Sequence, residues 1–279
     1  MDQKLKKDLE KLAVKIRIAT VEEFKARGFG HIGGSLSMVD ALTVLYGSVM
    51  NVDPKDPKKE DRDKLVCSKG HSGPGLYATL AVKGFFPYEE LKTLNQPHTH
   101  LPSHCDRNLT PGIDMTTGSL AQGASLAVGM ALADKLKGLK SRTYVIVGDG
   151  EAAEGQIWEA AMFTAGKKVN NLVWLLDENK KQLDGRTENV LPQFDFREKF
   201  EAFGFEAVRI NGNDLEQLYD VLTKEPGDKP LAIIMDTIKG YGVREVAEME
   251  NNHSINVTDE QCDRWIAELE AELAELEKA

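Results

Sequence analysis

Apolar residues recur at spacings of three to five positions from Leu5 to Phe24, close to the period of an α-helix. This pattern predicts a first helix that ends near Arg27 and Gly28. A glycine-rich loop follows, and we expect a second helical stretch from Met38 to Val49. The chain therefore begins with a long amphipathic helix whose apolar side needs a surface to pack against.

Short apolar runs rich in β-branched residues predict five strands, at Lys64–Cys67, Thr143–Val147, Leu172–Leu176, Ala207–Ile210 and Leu231–Met235. Helical patterns lie between several of them, at Leu120–Lys137, Ile157–Lys168 and Leu215–Leu222. Alternation of strands and helices predicts an α/β fold, a doubly wound and mostly parallel sheet with helices on both faces.

Two further regions complete the expected organisation. Residues Phe85–Gly118 hold prolines and histidines without periodicity, which is typical of a long and often functional loop. Near the end, Thr258 and Gln261 form a capping-box pattern before a helix with apolar Trp265 and Leu269 on one face. We find no linker that divides the chain, so residues 1–279 are expected to form a single domain.

Composition limits the function classes. The net charge of -10 and the isoelectric point near 5.2 argue against nucleic acid and anionic membranes as partners. The three cysteines have no CxxC spacing, which argues against a disulfide framework or a thiolate metal site. With no export signal and no long apolar run, a cytoplasmic protein is expected.

The sharpest chemical feature is an apolar strand that ends in Gly148, Asp149 and Gly150 before a helix rich in small residues. The carboxyl ends of strands are where α/β sheets bind ligands, and glycines let the backbone approach a phosphate. About thirty residues later the next strand leads to Asn179. One carboxylate, one amide, a loop carbonyl and a diphosphate would give the oxygen coordination that Mg²⁺ or Ca²⁺ prefers.

The Gly-Asp-Gly motif, followed at this spacing by asparagine, resembles the thiamine diphosphate signature, and GEAAEGQIWEAA resembles transketolase in particular. Further motifs agree in family order, including GHIG, SKGHS, PSH, TTGSLAQG and TIKGYG. The agreement runs from about Leu12 to Asn252. The chain is similar to the diphosphate-binding, N-terminal half of transketolase.

The resemblance implies a set of site residues. Asp149, Asn179 and the carbonyl of Lys181 would bind Mg²⁺ (or Ca²⁺), and His31, His71 and His104 would line the substrate channel and move protons. Residues expected to contact thiamine diphosphate are His71, Gly118, Leu120, Gly148, Asp149, Gly150, Glu154, Asn179 and His253. Glu154 and Glu159 match acidic residues that meet across the family's subunit interface.

The resemblance also implies the reaction, in which a two-carbon ketol unit passes from a phosphorylated or otherwise anionic ketose to an aldose. The family's activating glutamate lies on a pyrimidine-binding domain that this sequence lacks. We therefore expect a second chain, a C-terminal transketolase subunit, and an α2β2 heterotetramer.

One departure affects substrate choice. Where the family commonly has Trp-His-Gly, this sequence has His253-Ser-Ile-Asn256. Either His253 or Asn256 could replace the family histidine, or the site could be remodelled. A variant donor sugar is credible. Two alternatives stay open at this point: another thiamine diphosphate carboligase, such as a deoxyxylulose-phosphate synthase-like or keto-acid decarboxylating subunit, and a non-catalytic metal-diphosphate-binding module.

Overall fold

A computed structural model describes residues 1–278 of the chain. Its strands are β1 Phe29–Gly30, β2 Lys64–Cys67, β3 Thr143–Gly148, β4 Leu172–Glu178, β5 Lys181–Gln182, β6 Gly185–Arg186, β7 Glu206–Asn211, β8 Leu231–Asp236 and β9 Ile255–Asn256. Its helices are α1 Gln3–Arg27, α2 Ile32–Ser37, α3 Val39–Val44, α4 Gly73–Val82, α5 Gln122–Leu136, α6 Gly155–Gly166, α7 Thr187–Val190, α8 Phe196–Phe203, α9 Leu215–Leu222, α10 Arg244–Glu248 and α11 Asp259–Lys278. All five predicted strands and the predicted helices are present.

The central sheet has the order β2-β3-β4-β8-β7, and every neighbouring pair in it is parallel. Alternate residues of each strand enter two separate apolar cores. On β4, for example, Val173 and Leu175 pack in one core, while Leu172, Trp174 and Leu176 pack in the other. Because both faces of a parallel sheet are buried, helices must cover both, and the predicted doubly wound α/β fold is confirmed.

The helices fall into two layers. The first core contains side chains of α1, α3, α4, α9 and α11, and the second contains side chains of α5, α6 and α8. The capping box of α11 forms as predicted, with Thr258 N–H donating to Gln261 Oε1 at 3.0 Å and Gln261 N–H donating to Thr258 Oγ1 at 3.2 Å. Trp265 and Leu269 are buried, so α11 packs on the domain itself.

The expectation of an irregular glycine-rich loop is wrong for Ile32–Ser37, which forms helix α2. Local propensity disfavours helix at glycine, but here close packing requires it. A Cβ at Gly33 would lie 2.2 Å from the carbonyl oxygen of Asn252, and one at Gly34 would lie 2.7 Å from Ser72 Oγ. Long-range contacts therefore select both the glycines and their helical conformation.

The predicted loop Phe85–Gly118 is irregular apart from a 3₁₀ turn at Tyr88–Thr93. Among residues 1–278, every helix is too short or too polar to cross a membrane.

Candidate active site

A cavity of about 430 Å³ lies at the carboxyl edge of the sheet, where β2, β3, β4 and β8 end. Its walls include all of the predicted site residues: His31, His71, His104, Gly118, Leu120, Gly148, Asp149, Gly150, Glu154, Asn179, Lys181 and His253. These residues are spread over more than two hundred positions of sequence and converge because parallel strands share one carboxyl edge. The structure thus brings the predicted set together in one place; their chemical roles stay predictions.

Asp149 follows β3 directly and is 2% exposed. Its Oδ1 accepts the N–H of Gly150 at 2.7 Å, and its Oδ2 accepts the N–H of Lys180 at 2.5 Å. Burial, together with the negative charge of Asp177, raises the pKa of Asp149 to about 7. A buried carboxylate with only backbone donors is stabilised by a nearby cation.

Asn179 and Lys181 follow β4 and lie beside Asp149 in the cavity wall. Asn179 Nδ2 donates to Asp177 Oδ2 at 3.0 Å, which fixes the orientation of the amide. Its Oδ1 accepts the N–H of Lys181 at 3.2 Å, and the carbonyl of Lys181 accepts from Lys239 Nζ at 2.9 Å. The side-chain and main-chain oxygens predicted to bind a metal therefore lie in the same wall.

This donor set fits a hard divalent cation only with help from a ligand. No cluster of three or more His, Cys, Asp and Glu side chains within residues 1–278 could hold a metal ion. The protein offers one carboxylate, one amide and one carbonyl, whereas Mg²⁺ takes six oxygens. The remaining oxygens would have to come from water and a phosphate group, which agrees with a diphosphate-linked metal.

A buried ion pair supports the floor of the site. Lys69 Nζ bonds to Asp177 Oδ2, and it also donates to the carbonyl of Gly34 at 3.0 Å. Burial acts to raise the pKa of Asp177, but the charge of Lys69 and hydrogen bonds from Lys69, Ser37 and Thr237 hold it below its usual value. The sequence-based site residues did not include this pair, although Lys69 belongs to the SKGHS motif.

Glu151 holds the loop that carries Gly118 and Leu120. Its Oε1 accepts from Ser68 Oγ at 2.5 Å and from the N–H of Ala121 at 2.7 Å, and its Oε2 accepts the N–H of Gly148 at 3.0 Å. Ala121 has a φ of +70°, a left-handed conformation that is unfavourable for alanine. Because Glu151 bonds the N–H of Ala121 and is itself bonded to Ser68 and Gly148, the loop before α5 is fixed against the end of β3.

The histidines form one cluster. The ring centroid of His31 lies 5.2 Å from that of His71, 6.0 Å from that of His104 and 5.2 Å from that of His253. Burial lowers the pKa of all four histidines. The positive charge of Lys69 lowers the pKa of His71 further, and the positive charge of Lys239 does the same at His253, where the pKa falls to about 3. The imidazoles are therefore neutral at pH 7 and can both accept and donate hydrogen bonds.

The structure separates the two candidates for the family histidine. His253 lies in the cavity wall, with its ring centroid 4.8 Å from that of His71. Asn256 belongs to β9, which pairs with β1, and it is exposed outside the cavity wall. The position of His253 is therefore the one from which a side chain can reach a ligand.

Lys239 is a cavity residue that the sequence-based site set did not include. Its Nζ lies 2.9 Å from His253 Nδ1 and also contacts the carbonyl of Lys181. Burial lowers its pKa to about 8. The TIKGYG motif was a signal for this residue, but the motif alone does not say that its lysine faces the ligand.

Comparisons with known proteins agree with this geometry. The family described as "Transketolase, thiamine diphosphate binding domain" matches residues 9–272. The chain is 47% identical over 267 residues to the 6-deoxy-6-sulfo-D-fructose transketolase subunit SqwG of Clostridium sp. (strain MSTE9), covering 95% of this chain and 97% of that protein. It is 40% identical over 257 residues to an apulose-4-phosphate transketolase subunit from Actinobacillus succinogenes, covering 91% and 93%.

Solved structures give the same result for the fold. A transketolase from Pichia stipitis superposes with a TM-score of 0.87 at 26% identity, over 98% of this chain and 45% of that one. The transketolase from Campylobacter jejuni superposes with a TM-score of 0.83 at 26% identity, over 100% and 48%. The chain thus spans less than half the length of these solved transketolases. The comparisons confirm the predicted family resemblance, the fold and a transketolase-type transferase subunit.

Proposed function

We propose, from the premise that the chain belongs to the transketolase family through its thiamine diphosphate-binding domain, that it is the diphosphate-binding subunit of a two-chain transketolase. It transfers a two-carbon ketol unit from an anionic ketose to an aldose. The observation that carries this proposal is the convergence of the predicted residues in one cavity at the carboxyl edge of the sheet.

The cavity offers distinct surfaces to the parts of thiamine diphosphate. Gly148, Gly150, His71, His253 and Lys239 line the wall beside the metal ligands, and we assign them to the diphosphate. Backbone at glycine and cationic or hydrogen-bonding side chains are what a diphosphate requires. When bound, the cofactor supplies the nucleophilic carbon for cleaving and forming carbon–carbon bonds.

We assign Gly118, Leu120 and Glu154 to the end of the cofactor that lies away from the diphosphate. Leu120 is 36% exposed and lies in the wall on the loop that Glu151 fixes. An apolar side chain at the mouth of the cavity suits the face of an aromatic ring.

Asp149, Asn179 and the carbonyl of Lys181 would hold Mg²⁺ (or Ca²⁺), which would supply positive charge for the diphosphate. The pKa of Asp149, raised to about 7 by burial, supports this assignment because, within residues 1–278, the donors to the buried carboxylate are the backbone N–H groups of Gly150 and Lys180. A divalent cation would keep it ionised at neutral pH.

The neutral histidines would bind the sugar. His31, His71 and His104 line the cavity, and we propose that they accept protons from hydroxyl groups and return them, as carbon–carbon cleavage next to a hydroxyl requires. His253 adds a further donor or acceptor from a segment that departs from the common family motif. We propose that this departure contributes to the choice of ketose.

The donor is proposed to carry an anionic group. The two relatives named above act, by their names, on a sulfonated ketose and on a phosphorylated one. A panel that contains 6-deoxy-6-sulfo-D-fructose, apulose 4-phosphate and common ketose phosphates therefore covers the expected chemistry.

A partner chain is proposed to complete the site. Apolar side chains are exposed on α5 and α6 and beside the cavity: Leu126, Met162, Phe163 and Leu183. Such a surface is typical of a protein interface. The relatives carry the word "subunit" in their names, which supports a second chain. We propose that this second chain is a C-terminal subunit with the pyrimidine-binding domain, in an α2β2 assembly of a cytoplasmic enzyme.

The test is reconstitution. We would co-purify the tagged chain with its partner from native lysate, add thiamine diphosphate and Mg²⁺, and measure ketol transfer from each donor to a set of aldoses. We expect Asp149→Ala to abolish both transfer and protection from heat by cofactor and metal. The matched control is Asp228→Ala, an exposed position just before the amino end of β8.

Two results would overturn the proposal. Release of carbon dioxide from a keto acid, without ketol transfer, would identify another thiamine diphosphate carboligase. Equal protection of the wild type and of Asp149→Ala by a nucleotide, with none by thiamine diphosphate, would identify a non-catalytic binding module.

A further inference from the structure

We infer that Arg17, Asp40 and Asn213 form a hydrogen-bonded chain that positions Lys239 in the active-site cavity. The inference deepens the proposed function, since it rests on the assignment of Lys239 to the diphosphate. None of the three side chains lines that cavity. They are positioning residues and act only through the segment Thr237–Gly242.

This segment follows β8 and has no regular secondary structure of its own. It has one turn hydrogen bond of its own, from the N–H of Tyr241 to the carbonyl of Ile238 at 3.0 Å, and contacts with other elements hold that turn in place. The N–H of Gly240 donates to the carbonyl of Gly33 at 3.0 Å, and Asn252 Nδ2 donates to the carbonyl of Lys239 at 2.9 Å. These contacts hold the side of the segment that faces the active site.

The chain of three side chains holds the other side. The N–H of Ile238 donates to Asn213 Oδ1 at 2.9 Å, and Asn213 Nδ2 donates to Asp40 Oδ2 at 3.0 Å. Arg17 Nη2 donates to Asp40 Oδ1 at 2.6 Å. The network returns to the segment through Arg17 Nε, which donates to the carbonyl of Tyr241 at 3.4 Å.

Lys239 lies between the two attachment points, Ile238 and Tyr241. The Arg17 guanidinium also lies 5.1 Å from the ring centroid of Tyr241, within the range of a cation–π contact. At Gly242 a Cβ would lie 2.3 Å from Arg17, so the guanidinium fills the space where another residue would have a side chain. Arg17 therefore contacts the segment in three ways. It donates a hydrogen bond to the carbonyl of Tyr241, it lies over the ring of Tyr241, and it fills the space beside Gly242.

The energetics favour a positioning role. Arg17 is 5% exposed and Asp40 is 2% exposed, so both charges lose most of their hydration. A buried ion pair contributes little net stability compared with apolar residues of the same size, but removing one partner is strongly destabilising. The pair therefore adds little to the free energy of unfolding, but it fixes the positions of the groups that are hydrogen-bonded to it.

The segment also forms a partition between two cavities. Lys239 lines the active-site cavity, whereas Tyr241 and Gly242 line a second cavity of about 590 Å³, together with Arg17, Asp40 and Asn213. On the side of α10 the segment is packed, since a Cβ at Gly240 would lie 2.8 Å from Val246 Cγ1. On the side of the second cavity, hydrogen bonds from Arg17 and to Asn213 hold it.

The first test measures the segment without any cofactor. Asn213→Ala removes the acceptor of the Ile238 N–H, and we expect amide hydrogen exchange at Ile238 to become about tenfold faster in the full chain. The control amide is Thr223, which donates to the carbonyl of Tyr219 at 3.0 Å at the end of α9 and should be unchanged. Unchanged exchange at Ile238 would overturn the inference.

The second test uses a polarity swap. Asn213→Asp places a carboxylate against Asp40 and should disrupt the chain. The double variant Asn213→Asp with Asp40→Asn restores the hydrogen bond between positions 40 and 213 with donor and acceptor exchanged, and it keeps side-chain oxygens as acceptors for the Ile238 N–H and for Arg17. We expect the dissociation constant of thiamine diphosphate, measured calorimetrically with Mg²⁺ on the two-chain complex, to rise about tenfold in the single variant. It should return to within about twofold of the wild type in the double variant.

Non-additivity separates this inference from the proposed function. In a Lys239→Ala background Asn213→Asp should add no further loss of cofactor affinity, because the residue it positions is gone. Fully additive losses would mean that the network acts on the site independently of Lys239 and would overturn the inference. If Lys239→Ala itself leaves cofactor affinity unchanged, the role assigned to Lys239 fails, whereas exchange at Ile238 still decides whether the network orders the segment.

Discussion

Glu23 provides the most direct test of how burial acts in this fold. The side chain lies on α1 and is 0% exposed, and neither carboxyl oxygen has a hydrogen-bond partner within residues 1–278. Burial alone raises the pKa of Glu23 well above its usual value of 4.5. We expect Glu23→Gln, which keeps the shape and removes the ionisable group, to stabilise the protein increasingly as pH rises.

The sign and magnitude follow from proton linkage. In the folded state the carboxyl keeps its proton at pH values where the unfolded chain has already lost it, so raising the pH favours unfolding. The free energy of unfolding of the wild type falls by about 1.4 kcal/mol for each pH unit between the two pKa values. Glu23→Gln removes that share of the pH dependence over the range in which only the folded state holds the proton.

The assay is urea denaturation of the full chain at several pH values between 5 and 8, with the wild type and the variant measured side by side. Asp8→Asn, an exposed position on the same helix, is the matched control and should follow the wild type. Parallel pH profiles for the wild type and Glu23→Gln would refute the reasoning, since they would show that the buried carboxyl does not bind the extra proton.

Three further predictions concern packing. Trp265→Ala should lower the free energy of unfolding, measured by urea denaturation, by about 3–5 kcal/mol. The reason is that it opens a cavity between α11 and the core and removes the hydrogen bond from Trp265 Nε1 to Glu245. A loss below about 1 kcal/mol would show that α11 packs loosely. Gly129→Ala should stabilise the isolated chain by about 0.5–1 kcal/mol in thermal unfolding, because the position is helical and a Cβ there meets no atom within 4 Å. A lower melting temperature would contradict the conclusion that this face of α5 has room for a side chain. Gly70→Ala should weaken thiamine diphosphate binding at least tenfold in a calorimetric titration of the two-chain complex. The alanine Cβ would lie 2.8 Å from the carbonyl carbon of Thr117 and would displace the loop that carries Gly118. Unchanged affinity would show that this loop does not contact the cofactor.

Much of the fold was predictable because its signals are local. The five central strands are short apolar runs, and the long first helix ends at Gly28, whose φ of +81° suits glycine. The convergence of Asp149 and Asn179 was also predictable, since both follow neighbouring strands and parallel strands share a carboxyl edge. Helix α2 was missed because its glycines are favoured by contacts with Ser72 and Asn252, far away in sequence.

The sequence by itself determined the α/β class, the family and the residue types of the site, because periodicity and motifs are properties of neighbouring positions. Only the tertiary structure decided that His253 rather than Asn256 reaches the cavity, that Lys69 pairs with Asp177, and that Lys239 donates to the carbonyl of Lys181. These facts depend on which side chains share a buried volume, and residues more than a hundred positions apart meet there only when the whole sheet has formed.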